Sequence, residues 1–205
     1  MSDHYHHGAL AQAMVDEALS EVRSRGGEDV SLRRIATTLG VSPSAAYNHF
    51  ADKDALLQEV GRCGHDDLDD RMVRAIADYP EASDEAAVAR FRALGEAYLS
   101  FALDEPQLFR LSFSPLCFAL DDEDDQSEGP YGRLCTALDD LHARGLLRTR
   151  ENLDLLAWST VHGVAVLMLE GAIPAEAGPM LLQTIADLTL TSAARDVLGP
   201  ERSSR

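Results

Sequence analysis

The sequence predicts an all-α protein in which short N-terminal helices lead through a long helix into a larger helical domain. Apolar residues recur three and four positions apart almost throughout, strand patterns are scarce, and capping residues, glycines and prolines punctuate the helical runs. With 205 residues, 45% of them hydrophobic, the chain can bury one or two compact cores. A folded helical protein is therefore expected.

The first two helices are marked by their apolar faces and caps. One is predicted over residues 9–24, where Leu10, Met14 and Val22 share a face and a glycine pair follows. The second, about two turns long, follows Ser31 as its N-cap and again places apolar residues at spacings of three and four.

The third helix begins at Ser42, a good N-cap, with Pro43 in the first helical position, where its missing N–H costs nothing. Gly40 ends the preceding helix and supplies the turn between the two. Asp52 then caps a fourth, longer helix that starts at Lys53 and continues to a proline linker.

The rest of the chain is predicted to be helical with two interruptions. Residues 80–83 form the first linker, because the proline and the residue before it disfavour helix. A short apolar piece, PQLFRLSFSP, is followed by the acidic run DDEDDQSE at 121–128, which is interpreted as a solvated loop. Further helices are expected over about 84–103, 131–143, 152–170 and 177–198.

The charge of the chain is strongly acidic but unevenly spread. Its 18 basic and 35 acidic side chains give a formal net charge of −17. Such a balance works against nonspecific attraction to nucleic acid or membranes, because the long-range field repels phosphates. Residues 1–62 carry a net charge of only −3, so most of the acidity lies beyond the short N-terminal helices.

Composition and sequence pattern also indicate where in the cell the protein is located. No apolar stretch is long enough to span a membrane, and the N-terminus lacks the apolar run of a signal peptide, so a cytoplasmic protein is expected. The three cysteines, Cys63, Cys117 and Cys135, share no metal-ligand spacing and are predicted to be free, mostly buried thiols.

No grouping of residues typical of catalysis stands out. The sequence lacks a glycine-rich phosphate loop before a helix, a serine elbow and an HExxH pattern. We therefore expect a protein that is not an enzyme, and we predict no cofactor and no metal site.

Two short helices joined by residues 40–42 have the lengths and turn chemistry of a helix-turn-helix. In such a unit the second helix enters the major groove N-terminus first, while helix starts and hydroxyl groups contact phosphates. Ser44, Ala45 and Asn48 would then face base edges. From spacing alone, an ordinary helical hairpin with the same caps remains an alternative.

The same segment resembles a known family. The stretches YHHGAL (5–10) and SLRRIATTLGVSPSAAYNHFADKDALL (31–57) look like the DNA-binding domain of tetracycline-repressor-type (TetR-family) transcriptional regulators, with its "IA", "GVS", "HF" and "K-acid-ALL" positions at matching spacing. The resemblance implies a helix-turn-helix DNA-binding domain over residues 1–52. It implies an α-helical effector-binding and dimerisation domain over residues 53–205.

The resemblance also implies roles for residues. It places a recognition helix at about 42–49, backed by a small core of Ile35, Leu39, Ala46 and Phe50. Ala46 departs from the family, which has a larger apolar residue there, so lighter packing is expected. Because the recognition surface is small and uncharged, specificity would rest partly on methyl contacts to thymine and on DNA shape.

The predicted DNA-binding residues comprise those facing the bases and those holding phosphates, the latter being Tyr47, His49 and Lys53. The full set is Ser31, Arg33, Arg34, Thr38, Ser42, Pro43, Ser44, Ala45, Tyr47, Asn48, His49 and Lys53.

The stretch AWSTVHGVAVL (157–167) resembles the WHG-type effector domain of one subgroup of this family, and PQLFRLSF agrees with that subgroup. This implies a homodimeric repressor whose last two helices pair with those of a second copy. The two DNA-binding domains of the dimer would fit the half-sites of a palindromic operator, which lie about 34 Å apart. A small molecule would change the distance between these two domains. The predicted ligand pocket comprises Phe91, Tyr98, Phe101, Phe109, Phe113, Trp158 and His162.

Two alternatives stay open. Trp158 and His162 lie four residues apart on one helix face, and core packing or a dimer interface explains them as well as a pocket does. The rival function is a ligand-sensing or protein-interaction module with a degenerate DNA head, acting through its acidic surface. The sequence names neither the effector nor the operator.

Overall fold

The computed structural model describes residues 3–117, 129–192 and 194, which are built from α-helices and contain no β-strand. The predicted all-α fold is confirmed. No helix in these ranges is both long and apolar enough to cross a membrane. The acidic run predicted as a loop at 121–128 lies outside the described residues.

Nine α-helices lie within the described ranges, most of them where the apolar periodicity predicts them. A 3₁₀ turn at Gly27–Asp29 separates the first two. The helices are α1 (Asp3–Arg25), α2 (Leu32–Thr38), α3 (Pro43–Tyr47), α4 (Lys53–Ala77), α5 (Asp84–Asp104), α6 (Pro106–Ser112), α7 (Gly129–Ala143), α8 (Leu153–Leu169) and α9 (Ala177–Thr189).

These helices form two compact units, each with its own core. The first unit contains the described residues up to Asp66 together with those of 105–117. The second contains Asp67–Asp104 and the described residues from Gly129 onward. Helix α4 therefore begins in the first unit and ends in the second. The sequence predicts a domain boundary at the start of α4, between residues 52 and 53, whereas the compact units divide within α4, between residues 66 and 67.

In the first unit, α2 and α3 pack on each other around a small core. Ile35, Ala36 and Ala46 are completely buried, and Phe50 closes the core beneath them. Gly40 adopts a φ of 69°, a left-handed conformation that glycine reaches without strain, and this allows the turn between the helices.

The predicted caps hold two of the helix starts. Ser42 Oγ accepts the Ala45 N–H at 3.2 Å, and Asp52 Oδ1 accepts the Ala55 N–H at 2.8 Å. Ser31 occupies the N-cap position of α2, but its side chain makes no capping hydrogen bond.

The segment expected as a short apolar piece forms helix α6 of the first unit. Pro106 lies in its first turn, and Leu108, Phe109 and Leu111 are buried. A helix of seven residues makes only two turns, too few for a sequence period to stand out.

Two glycines of α4 allow close packing in the first unit. A methyl group added at Gly64 would lie 2.0 Å from Ser112 Oγ, and one added at Gly61 would lie 2.6 Å from Cys117 Sγ. Both distances are far below van der Waals contact. Glycine is therefore required at these positions because Ser112 and Cys117 pack closely against α4, and not because of the helix geometry.

In the second unit, α5 is the central helix and packs against α7, α8 and α9. Leu94, Tyr98 and Phe101 on α5 are almost completely buried. The Arg71 guanidinium lies 5.4 Å above the ring of Phe101, a cation–π contact that covers the aromatic face.

The last helix ends at Thr189, so the prediction that it continues to residue 198 is wrong at this point. Leu190 and Thr191 interrupt the helix and pair with the segment before α8, and residues 192 and 194 are helical again. The Arg148 N–H donates to Thr189 O at 3.1 Å, and the Thr191 N–H donates to Leu146 O at 2.9 Å. This pairing satisfies main-chain groups without a helix, which explains the early end.

The three cysteines carry free thiols, as predicted, but they are half-buried and not buried. Burial raises the pKa of each thiol above its ordinary value. These side chains are therefore mainly in the neutral thiol form at pH 7.

Candidate nucleic-acid interface and ligand cavity

Helix α3 presents a polar, uncharged outer surface. Ser44 and Asn48 are exposed, Ala45 is half-buried, and Tyr47 is 46% exposed although it is a large aromatic. Ala46 faces inward and is completely buried. The side of α3 that is predicted to face the DNA bases is thus not covered by the rest of the first unit. The predicted recognition helix at 42–49 is observed as Pro43–Tyr47, preceded by its Ser42 cap.

The predicted rim residues on α2 differ in their surroundings. Arg33 and Thr38 are exposed, and Ser31 is half-buried. Arg34, in contrast, forms a bidentate ion pair with Glu21 of α1, with Nε–Oε1 at 2.9 Å and Nη2–Oε2 at 2.8 Å.

The Arg34–Glu21 pair is part of the internal structure of the first unit. The Glu21 carboxylate is buried, and its hydrogen bonds to Arg34 lower its pKa. Arg34 also donates to the Asp29 carbonyl oxygen. Two acceptors within the protein therefore hold this guanidinium, which is a structural role that the sequence prediction did not include.

Two predicted phosphate contacts lie near the start of α4. Lys53 is half-buried, and its Nζ donates to the Glu28 carbonyl oxygen in the turn between α1 and α2. His49 is half-buried at the end of the α3 region. Lys53 thus fastens the start of α4 to the α1–α2 turn while it remains partly accessible.

The second unit contains a cavity of about 90 Å³ between α5, α8 and α9. Its wall is mainly apolar, with a few polar side chains, which is the usual composition of a small-molecule site. It is lined by Met72, Phe91, Arg92, Leu94, Gly95, Glu96, Tyr98, Leu134, Ala157, Trp158, Thr160, Val161, Pro179, Leu182, Gln183, Ile185 and Ala186.

Three of the predicted pocket residues, Phe91, Tyr98 and Trp158, line this cavity. Phe101 is buried elsewhere in the second unit, under Arg71. Phe109 and Phe113 belong to the first unit, where their ring centroids are 4.9 Å apart. Within the second unit, the cavity therefore brings together Phe91, Tyr98 and Trp158 from the predicted aromatic set.

His162 supports the cavity wall through Tyr98. The Tyr98 hydroxyl and His162 Nδ1 share a hydrogen bond of 2.8 Å. Tyr98 and Trp158 meet edge to face, with ring centroids 5.2 Å apart. Burial raises the pKa of Tyr98 and lowers the pKa of His162. Both groups are therefore neutral at pH 7, and the cluster fixes the orientation of two cavity-lining rings.

Sequence reasoning missed the polar lining of the cavity. Arg92 and Glu96 lie one turn apart on α5, and Thr160 and Gln183 face them from α8 and α9. In a sequence predicted to be helical, polar residues of this kind usually indicate a face exposed to solvent. The available signal was the spacing of Arg92 and Glu96, because residues four apart on a helix cover the same surface.

The lowered pKa of His162 gives a prediction for stability. The unfolded state takes up a proton near the ordinary histidine pKa of about 6.5, whereas the folded state resists protonation. Stability is therefore lost as the pH falls below that value, and the loss is complete below the folded pKa. We expect urea unfolding at pH 7.5 and pH 5.0 to show a larger loss for the wild type than for His162→Gln. Equal losses in the two proteins would contradict this account.

The fold and these sites define a class of protein. A helix-turn-helix with an exposed, uncharged second helix is a DNA-reading unit, and the second unit contains a small cavity whose lining has the composition of a ligand site. A DNA-binding transcriptional regulator combines these two features.

Comparison with known families agrees with that class. The family described as "Bacterial regulatory proteins, tetR family" matches residues 15–60. The one described as "Tetracyclin repressor-like, C-terminal domain" matches residues 91–188. Together they cover more than half of the chain, which belongs to the TetR family of transcriptional regulators. No curated protein matches the sequence.

Solved structures show the same fold. A protein of unknown function from Rhodococcus sp. RHA1 is 28% identical, with a TM-score of 0.73 over 93% of this chain and 100% of that one. SmeT, solved as a complex with triclosan, is 16% identical, with a TM-score of 0.65 over 96% and 98%. RolR, solved with the ligand resorcinol, is 13% identical, with a TM-score of 0.65 over 97% and 99%.

Proposed function

We propose that this protein is a homodimeric cytoplasmic repressor that leaves a palindromic operator when a small molecule occupies the cavity of the second unit. The observation that carries the proposal is the cavity itself, enclosed by α5 and by the inner faces of α8 and α9, whose outer faces are apolar and exposed. A molecule in the cavity would press directly on the two helices proposed to hold the dimer.

The proposed DNA contacts follow from the surface of the first unit. Ser44, Ala45 and Asn48 would face base edges, and Ser42 and Pro43 would approach the groove at the start of α3. Tyr47, His49 and Lys53 would hold phosphates, with Ser31, Arg33 and Thr38 along the rim. The Arg34 guanidinium is already paired with Glu21, so Arg34 would support DNA binding indirectly, by holding α1 against α2.

The proposed dimer interface is the outer side of α8 and α9. Its apolar side chains are exposed in the single chain, among them Leu156 at 54%, Leu167 at 46%, Met180 at 63% and Leu188 at 66%. On α8, Gly163 lies on the same face, and a methyl group there would meet nothing within 4 Å. Large apolar side chains around a glycine favour close pairing with a second helix.

SmeT and RolR support the proposed effector role by analogy of fold, since each was solved with a small molecule. In this chain, α4 links the two roles. Its first residue, Lys53, is a proposed phosphate contact, and Met72 near its end lines the cavity. Asp69, one turn before Met72, is held by Arg133 of α7 at 2.9 and 3.0 Å. We infer that a ligand that displaces Met72 moves α4 and thereby changes the distance between the two DNA-binding domains of the dimer.

Footprinting upstream of the protein's own gene tests the proposal. We expect protection of a palindromic site whose half-sites lie about one helical turn apart. If no site is protected even at low salt, the operator-binding role is wrong, and the interaction module with a degenerate DNA head becomes the better account.

A pair of substitutions tests the phosphate contacts. Tyr47→Phe removes only a hydroxyl group, and Lys53→Met removes a charge while it keeps the apolar stem. Each is expected to weaken binding to operator and to unrelated DNA by a similar factor, about tenfold for Lys53→Met, because phosphate contacts carry no sequence information. The measurement is fluorescence anisotropy with both DNAs, and Arg62→Met serves as the matched control because Arg62 is an exposed α4 residue outside the proposed contact set. Unchanged affinity in both variants would contradict the proposed docking.

A further inference from the structure

Arg92 is an unusual member of the cavity wall. Its Nε is buried, and the described part of the chain gives it no hydrogen-bond partner. The Arg92 side chain lines the cavity together with Phe91 and Leu94. A buried donor without an acceptor costs free energy, because water has been removed and nothing replaces it.

The neighbours of Arg92 do not supply the missing acceptor. Glu96 lies one turn further along α5 and lines the same cavity, but its side chain is exposed and forms no ion pair with Arg92 in the structure. Nearby arginines on the same unit are paired: Arg90 binds Asp140 at 3.0 Å, and Arg133 binds Asp69. The second unit therefore satisfies its structural arginines and leaves the one in the cavity unsatisfied.

From this geometry we propose that the effector is an aromatic carboxylate whose acid group pairs with Arg92. The inference rests on the proposed role of the cavity as the effector site. A guanidinium is always charged, and its planar array of N–H donors matches the two oxygens of a carboxylate. An acid group at this position satisfies the buried Nε and neutralises its charge.

The remaining lining selects an aromatic ring. The cavity is lined by three aromatic rings, those of Phe91, Tyr98 and Trp158, and Val161 and Ala186 add apolar surface to its wall. At about 90 Å³ the cavity is smaller than the roughly 150 Å³ that accepts benzene in an engineered apolar site, so a single-ring ligand must displace a flexible side chain. Met72 and Leu182 on the wall have the rotamer freedom to move.

The chain carries its own reporter for the test. Trp158 is the only tryptophan in the sequence, and it lines the cavity. Its fluorescence therefore follows occupancy directly. The probes are benzoate and phenylacetate, each compared with its neutral amide, benzamide and phenylacetamide, which have the same shape without the charge.

We expect each acid to bind the full-length protein more tightly than its amide. Arg92→Met should weaken binding of the acids by about 10- to 100-fold, the range for a charge-assisted pair, and leave binding of the amides unchanged. Arg74→Met, which removes an exposed arginine outside the cavity, should bind as the wild type does. Glu96→Gln should bind the acids at least as tightly as the wild type, because it removes a like charge. Acids that bind no better than their amides, or equal binding of the acids by Arg92→Met, would overturn the proposal.

A second measurement needs no ligand. An arginine kept unpaired for binding weakens the empty protein, so Arg92→Met should raise the melting temperature by about 2 °C. A structural arginine would give a lower melting temperature, which would count against the proposal.

Operator release separates this inference from the proposed function. If the acids bind through Arg92 but the operator stays bound, the ligand class is right and the repressor mechanism is wrong. If only neutral compounds bind and release DNA, the mechanism stands and the ligand class is wrong.

Discussion

Leu156→Glu combined with Leu167→Glu is expected to convert the protein to a monomer and to weaken operator binding by about 100-fold or more. Both side chains are exposed on the outer side of α8, so the single chain tolerates glutamate there. In a dimer the change would bury four carboxylates without partners, at a high cost in free energy. A monomer reads only one half-site and loses the gain in affinity from two linked contacts.

The measurements are sedimentation velocity and anisotropy with operator DNA. Leu103→Glu is the matched control, because Leu103 is an exposed leucine of α5 outside the proposed interface. It should remain dimeric and bind DNA normally. If the α8 double variant also stays dimeric at the same concentration, the two-fold interface lies elsewhere.

Gly64→Ala is expected to lower the free energy of unfolding by about 2 kcal/mol, an overpacking cost. On an exposed helix this change would be stabilising by roughly 1 kcal/mol, because alanine is the better helix former. Here the new methyl group would lie 2.0 Å from Ser112 Oγ and 3.1 Å from Leu108 Cγ. Ser112 would have to give up its 2.9 Å hydrogen bond to the Leu108 carbonyl oxygen, and the two helices would have to separate.

Urea unfolding of three variants checks this prediction. Ser112→Ala combined with Gly64→Ala should recover part of the lost stability, because the hydroxyl group in the way is gone. Ser112→Ala alone should have a smaller effect than Gly64→Ala. If Gly64→Ala is as stable as the wild type, α4 and α6 are not as closely packed as the structure indicates.

Much of the fold could be predicted from the sequence, because local chemistry decides it. The Ser42 and Asp52 caps and the Gly40 turn are properties of single residues, and the structure contains all three. The end of the last helix could not be predicted in this way. Helix α9 stops at Thr189 because a distant segment pairs with the chain beyond it.

The cavity was less predictable than the helices. Aromatic spacing indicates that Phe91 and Phe109 are core residues, but it does not indicate that they belong to different units. Arg92 was missed for a related reason. A charged side chain within a helix is typical of a solvated surface, and only the packed structure shows that its Nε is dry and unpaired.

The ion pair between Arg34 and Glu21 has a consequence for the ionic strength at which this regulator can work. Each bound phosphate releases counterions, so the affinity of a strongly basic head for DNA falls steeply as salt rises. Here Arg34 already has an internal counterion, and the outer surface of α3 is uncharged. With Arg33 and Lys53 as the cationic side chains left among its proposed phosphate contacts, this head would lose less affinity for the operator during osmotic stress, when intracellular salt rises, than a strongly basic one.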